Sequence, residues 1–246
     1  MGVIRVAAAL SLVAGEGAVA PFGPAAPCSP AKAGVQTGEA VGMPYRPAGC
    51  GPTLSELFAA TSRDGGWTGF LLPQVNSARP LLWVQERMAV LQSGRIYPPG
   101  LPSRDLIHVE ARDARGALWA MEEGLRCGAL AAVIGELWGD SKVLDFTATR
   151  RLAVAAERSG VACWLVRLGG TANLSGARMR WRVASAPSLA NGLDPRAPGA
   201  PAWDAELFRA RGRPPGRWML NNDSGAFDLV TEPGDRALGE GERRTA

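Results

Sequence analysis

From Thr53 to about Arg167 the chain repeats one pattern: a short apolar run, a polar break, then a stretch with helical spacing. "PLLWVQE" (80–86), Ala131–Ile134 within "ALAAVIGELWGD" (129–140) and "VACWLVRL" (161–168) are apolar without alternation. Strands of that kind are buried on both faces, a condition met by a mostly parallel sheet covered by helices on either side. "TLSELFA" (53–59) and "RDLIHVEA" (104–111) are further strand candidates in the same series. In "DARGALWAMEEGLRCG", Ala117, Leu118, Met121 and Leu125 share one helical face, and Gly128 stands where a C-cap glycine belongs. "DFTATRRLAVAAERSG" predicts a second helix, capped by Asp145 and ended by Gly160. "WTGFLLPQV" predicts a short helix made irregular by Pro73. The expected fold class is α/β, a mostly parallel twisted sheet with helices on both faces.

After Gly170 the pattern changes. "ARMRWRVAS" (177–185), "WDAELFRARG" (203–212), "GRWMLNND" (216–223) and "AFDLV" (226–230) alternate apolar with polar residues and are joined by turn-rich segments. These predict antiparallel, half-exposed strands that extend the sheet at one edge. Residues 1–52 are dense in Gly, Ala and Pro and predict an extension with no core of its own. Its run from Val6 to Ala14, followed by Ala18-Val19-Ala20, has the parts of a secretory signal, but Glu16 interrupts the spacing and the charged region is thin. That run is also too short to span a bilayer as a helix. The expected organisation is this extension, one domain over 53–231, and a disordered tail over 232–246. Cys28, Cys50, Cys127 and Cys163 form no CxxC pair, and the two within apolar patterns, Cys127 and Cys163, read as buried reduced thiols. An intracellular, cytoplasmic chain without a membrane span is expected. Its net charge of +4 permits contact with nucleic acid without requiring it.

The order of strands and helices resembles a RecA-type core. More narrowly, "RIYPPGL", "ALWAMEEGLRCGALAAVIGEL", "LDFTATRRLAVAAERSGVACWLVR" and "RWRVASAPS" resemble the ImuA family of bacterial DNA-damage mutagenesis proteins, over roughly residues 53–231. The resemblance implies a RecA-like fold and a role in damage-induced (SOS) translesion mutagenesis. The partners it implies are an ImuB-like Y-family protein and an error-prone DNA polymerase, with RecA a further candidate.

A RecA-like ATPase needs a phosphate loop, GxxxxGK[ST], after its first strand. By chain order that loop corresponds to "AATSRDGGWTGF" (59–70), which has Gly65 and Gly66 but no lysine. Trp67-Thr68 stands where Lys-Ser/Thr would be; Thr68 still offers a hydroxyl, and Arg63 precedes the glycines. Losing the lysine removes the main countercharge for a transferred phosphoryl group. The loop is degenerate, and ATP hydrolysis is not expected. Glu136 and Glu86 end strands where the metal-holding and water-activating acids would fall, so both are candidates to line a common crevice. Exposed glutamates at strand ends are also ordinary. No catalytic residue, metal site or cofactor is assigned: His108 is the sole histidine and reads as a packed or hydrogen-bonded side chain, and no GxSxG elbow is present.

Arginines supply the other candidate surface. Arg178, Arg180 and Arg182 alternate and should share one strand face, opposite Met179 and Trp181, while Arg209, Arg211, Arg213 and Arg217 cluster around a hairpin turn. With aromatic neighbours they form a candidate platform for single-stranded nucleic acid. Charge that keeps sheet edges from pairing with other chains gives the same pattern. Trp83, Trp119, Trp164 and Trp181 fall on apolar faces and are expected in the core, whereas Trp67 and Trp138 fall at loop positions as candidate partner anchors. "GRIYPPGLP" (94–102) is a Pro-rich recognition loop or a rigid connection. Three functions stay open: a non-hydrolysing RecA-like adaptor in a mutagenic polymerase assembly, a nucleotide-binding ATPase or switch, and a division inhibitor of the SulA type. The missing lysine and the ImuA-like segments favour the adaptor.

Overall fold

A computed structural model describes residues 52–75, 78–101, 105–194, 196–212, 214–221 and 228–230. The expected N-terminal extension, apart from Pro52, and the expected tail lie outside these residues, as does Arg213. The first half of the chain forms β1 (Leu54–Ala59), α1 (Trp67–Leu71), β2 (Leu81–Glu86), α2 (Arg87–Ser93), β3 (Leu106–Ala111), α3 (Ala114–Leu125) and β4 (Ala132–Trp138). Then follow α4 (Phe146–Ser159), β5 (Ala162–Leu168), β6 (Met179–Ala186), β7 (Ala202–Ala210), β8 (Gly216–Asn221) and β9 (Asp228–Val230). The strands make one sheet in the order β3-β2-β4-β5-β1-β6-β7-β8-β9. Strands β1 to β6 run parallel, and β7, β8 and β9 add antiparallel pairs at one edge. This is the expected α/β class, with the RecA-like arrangement of a parallel sheet and antiparallel C-terminal strands.

One strand departs from expectation. β6 pairs parallel with β1, Ser55 opposite Met179 through Ala59 opposite Val183, and antiparallel with β7. Its alternation does not come from antiparallel pairing. Met179, Trp181 and Val183 enter a core on one face, while Arg180 is buried among charged and aromatic groups on the other.

Helices cover both faces unequally. On one, α1 and a 3-10 turn over Leu72–Val75 bury Phe70, Leu71 and Leu72 against Leu57, Trp83 and Trp181, the Phe70 and Trp181 rings lying 5.1 Å apart. Pro73, in that 3-10 turn, accounts for the early end of α1. On the other, α3 and α4 set Leu118, Met121, Leu125 and Leu152 against Leu82, Val133 and Leu165. Gly135 in β4 admits α3 closely: a Cβ there would lie 2.2 Å from Met121 Sδ. The Asp145 carboxylate accepts from Ala148 N at 2.7 Å, and Gly160 ends α4 with φ of 74°. α3 stops earlier than its C-cap glycine suggested. Its last turn tightens, Arg126 N and Cys127 N bonding to Glu123 O and Gly124 O, so the helix closes before Gly128 and leaves Cys127 exposed. Cys163 is buried, as expected, and burial raises its thiol pKa beyond the usual range. Among the described residues, no helix is long and apolar enough to cross a membrane.

Candidate functional site

Parallel pairing brings the C-terminal ends of β1, β2 and β4 to one side of the sheet, where open α/β folds bind ligands. A cavity of about 400 Å³ opens there, between the segment after β1 and residues 92–101. Gly65 and Thr68 line it from the degenerate phosphate-loop position, and Trp83, Gln85 and Glu136 line it from the sheet. Gly66 and Glu86 are not in its wall. Glu86 follows Gln85 on β2 and, by the two-residue period of a strand, points to the opposite face, so the two glutamates do not share the crevice. Its carboxylate accepts from Trp138 N at 2.9 Å, tying β2 to the end of β4.

Side chains of the protein itself fill the phosphate-loop position. The Asp64 carboxylate accepts from Gly66 N at 2.9 Å, from Ser185 Oγ at 2.6 Å and from Ser185 N at 2.7 Å. Burial alone would raise the Asp64 pKa, but the Ser185 and Gly66 hydrogen bonds outweigh it and hold the carboxyl below its ordinary value. The Trp203 indole donates to Gly66 O at 2.7 Å, and a Cβ on Gly66 would meet Ser185 Oγ at 2.1 Å. No residue in 59–70 has positive φ, so the backbone does not curl into the αR-αL nest that cradles anions. Among the described residues, no group of three or more His, Cys, Asp or Glu side chains could hold a metal ion.

Glu136 is the chemical centre of the cavity. Its side chain is buried and accepts from the Trp83 indole and from Gln85 Nε2, the latter at 3.1 Å. Burial without a cation partner pushes the carboxyl up to about 7, and the two neutral donors only partly counter it. Gln85 carries the network outward: its Oε1 accepts from Ile96 N at 3.0 Å and lies 3.0 Å from His108 Nε2, while its Nε2 also donates to Gly94 O at 3.1 Å. An amide oxygen is only an acceptor, so His108 carries its proton on Nε2. Burial, and then Arg95, lower the His108 pKa against the opposing pull of Glu110, to which Arg95 is ion-paired. A buried amide therefore pins the start of the Pro-rich loop over the cavity.

No protein-family model matches the chain. Protein ImuA of Caulobacter vibrioides is 32% identical to it over 177 residues, which cover 66% of this chain and 70% of that protein, and the same figures hold for a second strain. The chain belongs to the ImuA family.

In this ImuA-family chain the arginine candidates have separate fates. Arg178, Arg180 and Arg182 share the α4 side of β6, as the period required. Arg180 is buried, its Nε 2.6 Å from Glu56 Oε2, and stacks on Phe58 and Phe208. Arg178 donates to Glu157 of α4 at 2.8 Å. Arg182 is exposed, pairs with Glu206 at 3.1 Å and lies 4.4 Å over the Phe208 ring. Arg217 is held by Asp204, Nε to Oδ1 at 2.7 Å, and Arg211 N donates to Arg178 O at 2.8 Å. Arg209 is exposed on β7. The aromatic partners of these cations are Phe58 and Phe208, from other strands, and not the neighbouring Trp181, which faces the opposite core.

Three tryptophans also differ from expectation. Trp119 is 55% exposed, because the buried stripe of α3 runs through Ala114, Ala117, Leu118, Met121 and Leu125 and leaves position 119 to one side. Trp67 is buried as the first residue of α1, its ring 6.1 Å from Trp83, and Trp138 is the half-buried last residue of β4. Sequence reading missed Asp64, Trp83, Gln85 and Ser185 as site residues. One signal was available: Gln85 is a polar residue directly after the apolar run Leu81 to Val84 of a buried strand.

Proposed function

We propose that the chain is a non-hydrolysing RecA-like adaptor in DNA-damage-induced translesion mutagenesis. It links an ImuB-like Y-family partner to an error-prone DNA polymerase, with RecA a further partner. Membership of the ImuA family supports the role in mutagenesis. The observation that carries the non-hydrolysing half is the Asp64 carboxylate, which takes the Gly66 N–H and occupies the loop where a phosphate would be held. The absent lysine and the attachment of Glu136 to Trp83 and Gln85 support the same reading.

Two measurements test it. Tagged chain recovered from its native host, with and without DNA damage, should carry the ImuB-like protein or the polymerase by mass spectrometry; recovery of the division protein alone would favour the SulA-type reading. Purified chain should show no ATP turnover above background, and hydrolysis abolished by Glu136→Gln would reject the claim. The cavity beside Glu136 favours retained nucleotide binding without turnover as a second reading, which saturable ATP binding at equilibrium would support. For direct contact with single-stranded DNA, reversing charge at Arg178, Arg180 and Arg182 should weaken binding and flatten its salt dependence. Only Arg182 of the three is exposed, so Arg182→Glu alone separates a lost contact from a damaged core.

A further inference from the structure

The outer surface of α3 and α4 carries a feature that neither the cavity nor the sheet edge uses. A groove runs between the two helices as two adjoining clefts that meet at the Arg151–Glu122 ion pair, with Arg115 and Trp119 lining one and Arg126, Arg150, Val154 and Arg158 the other. Its accessible apolar surface is the half-buried Val154 and Ala155 and, toward one end, the exposed Trp119 ring; Leu118 and Leu125 lie beneath in the core. Its rim is mainly cationic, with Asp145 at the Trp119 end. Glu122 neutralises Arg151 and Glu123 neutralises Arg126. Among the described residues, Arg115, Lys142, Arg150 and Arg158 have no carboxylate within 4.0 Å. Neither helix has an acid in its first turn, and α3 places Arg115 there, against the positive end of its own dipole. The Asp113 and Asp145 carboxylates cap the two N-termini, accepting from Gly116 N and Ala148 N, and leave the four cations along the groove unneutralised.

We propose that this groove docks an acidic amphipathic helix of a partner protein. Apolar residues at i, i+3, i+4 and i+7 would cover Trp119, Val154 and Ala155, and flanking carboxylates would meet the four unneutralised cations. α4 has 14 residues, about 21 Å at 1.5 Å per residue, so it offers a track for some four turns of partner helix. A nucleic-acid backbone would use the cations and leave Trp119, Val154 and Ala155 uncovered, which is why a helix fits better. The inference deepens the adaptor reading by naming a docking surface, and its test does not depend on that reading.

The probe is a stapled, fluorescein-labelled helical peptide of about 14 residues, with Leu and Ile on one stripe and Glu on both flanks. It is titrated into the full chain by anisotropy beside a peptide with the same stripe and Lys flanks. The Glu peptide should saturate, the Lys peptide should not, and added salt should weaken the complex. Arg150→Glu with Arg158→Glu should weaken binding about tenfold or more, as should Arg115→Glu with Lys142→Glu at the other end. Arg209→Glu, far from the groove, should leave it unchanged. All these positions are exposed, so thermal melts separate lost binding from lost folding. No saturation, equal binding of both peptides, or indifference to both double reversals overturns the proposal. So does an oligo(dT) strand that binds, displaces the peptide and is lost in the same variants, which reassigns the groove to nucleic acid. Failure here with polymerase partners still co-purifying removes the groove alone; failed co-purification rejects the adaptor and leaves these titrations standing.

Discussion

Two glutamates, Glu56 on β1 and Glu136 on β4, are 0% and 3% exposed and lie on opposite faces of one sheet. Equal burial has not given them equal chemistry. Glu56 faces guanidinium groups: Arg180 Nε at 2.6 Å and Arg167 Nη1 at 4.0 Å, with the Ser175 hydroxyl donating at 2.9 Å. Glu136 faces only neutral donors, an indole and an amide. A carboxylate beside cations recovers in attraction part of what it loses by leaving water, and one beside neutral donors lacks that recovery. The first arrangement is a structural clamp joining β1, β5 and β6. The second leaves a titratable group beside a cavity. Partner type, and not depth of burial, separates structure from potential function here.

Glu56→Gln is the strongest way to break this comparison. It leaves Arg167 and Arg180 buried without their shared countercharge, and removing one member of a buried ion pair costs about 3–5 kcal/mol. Arg167 keeps Asp140, 2.6 Å from its Nη2, so most of the cost falls on Arg180. Urea denaturation measures it; a loss under about 1 kcal/mol would mean that the clamp is not a clamp. Replacing the pair together, Glu56→Leu with Arg180→Met, should recover much of the loss, since an apolar pair carries no desolvation penalty.

The pH dependence of Glu136 gives the next largest effect. Its folded value is about 7, against an ordinary 4.5. Between those values the folded chain holds a proton that the unfolded chain has released, so stability falls as pH rises. The contribution is fully present below about 4.5 and is lost as pH rises through 7, on the order of 3 kcal/mol at about 1.4 kcal/mol per tenfold. Glu136→Gln lacks the titration. The difference in stability between the parent chain and this variant should therefore slope across that window, and a flat difference between pH 4 and pH 8 would show that Glu136 is not the neutral-partnered acid described.

What sequence revealed and what it hid follow the same division between local and distant causes. The strands were legible because burial on both faces leaves continuous apolar runs, and the α4 caps because Asp145 and Gly160 act on their own helix. Glu136 was visible as an acid near a strand end. Its partners were not, because Trp83 and Gln85 reach it only through the β2–β4 pairing, which sets Gln85 opposite Glu136. Arg180 was hidden more deeply: its counterion is 124 positions away, brought close only because β6 lies beside β1. Alternation in "RMRWR" reports two unlike faces, but not that the charged one is buried or that the strand runs parallel to its neighbour. Trp119 was recoverable from spacing alone, since it falls outside the stripe that Leu118 and Met121 define.

Two indoles refine the lesson at the smallest scale. Trp83 and Trp181 are both fully buried in the same core, yet the Trp83 N–H donates to Glu136 while the Trp181 N–H has no hydrogen-bond partner. Phenylalanine at either position removes ring area of similar size and differs in what happens to the polar atoms. Trp83→Phe strips a donor from a buried carboxyl, a loss of about 1–3 kcal/mol, and should raise the Glu136 pKa further because one of its two opposing hydrogen bonds is gone. Trp181→Phe removes a donor that was already unsatisfied, so relief of its desolvation cost offsets part of the lost packing against Phe70 and Trp218. The expected order is a smaller loss for Trp181→Phe, by about 1 kcal/mol or more. Paired urea titrations decide it. Equal losses would mean that ring volume alone sets the cost, and that the indole–carboxyl bond adds nothing to the wall of the cavity.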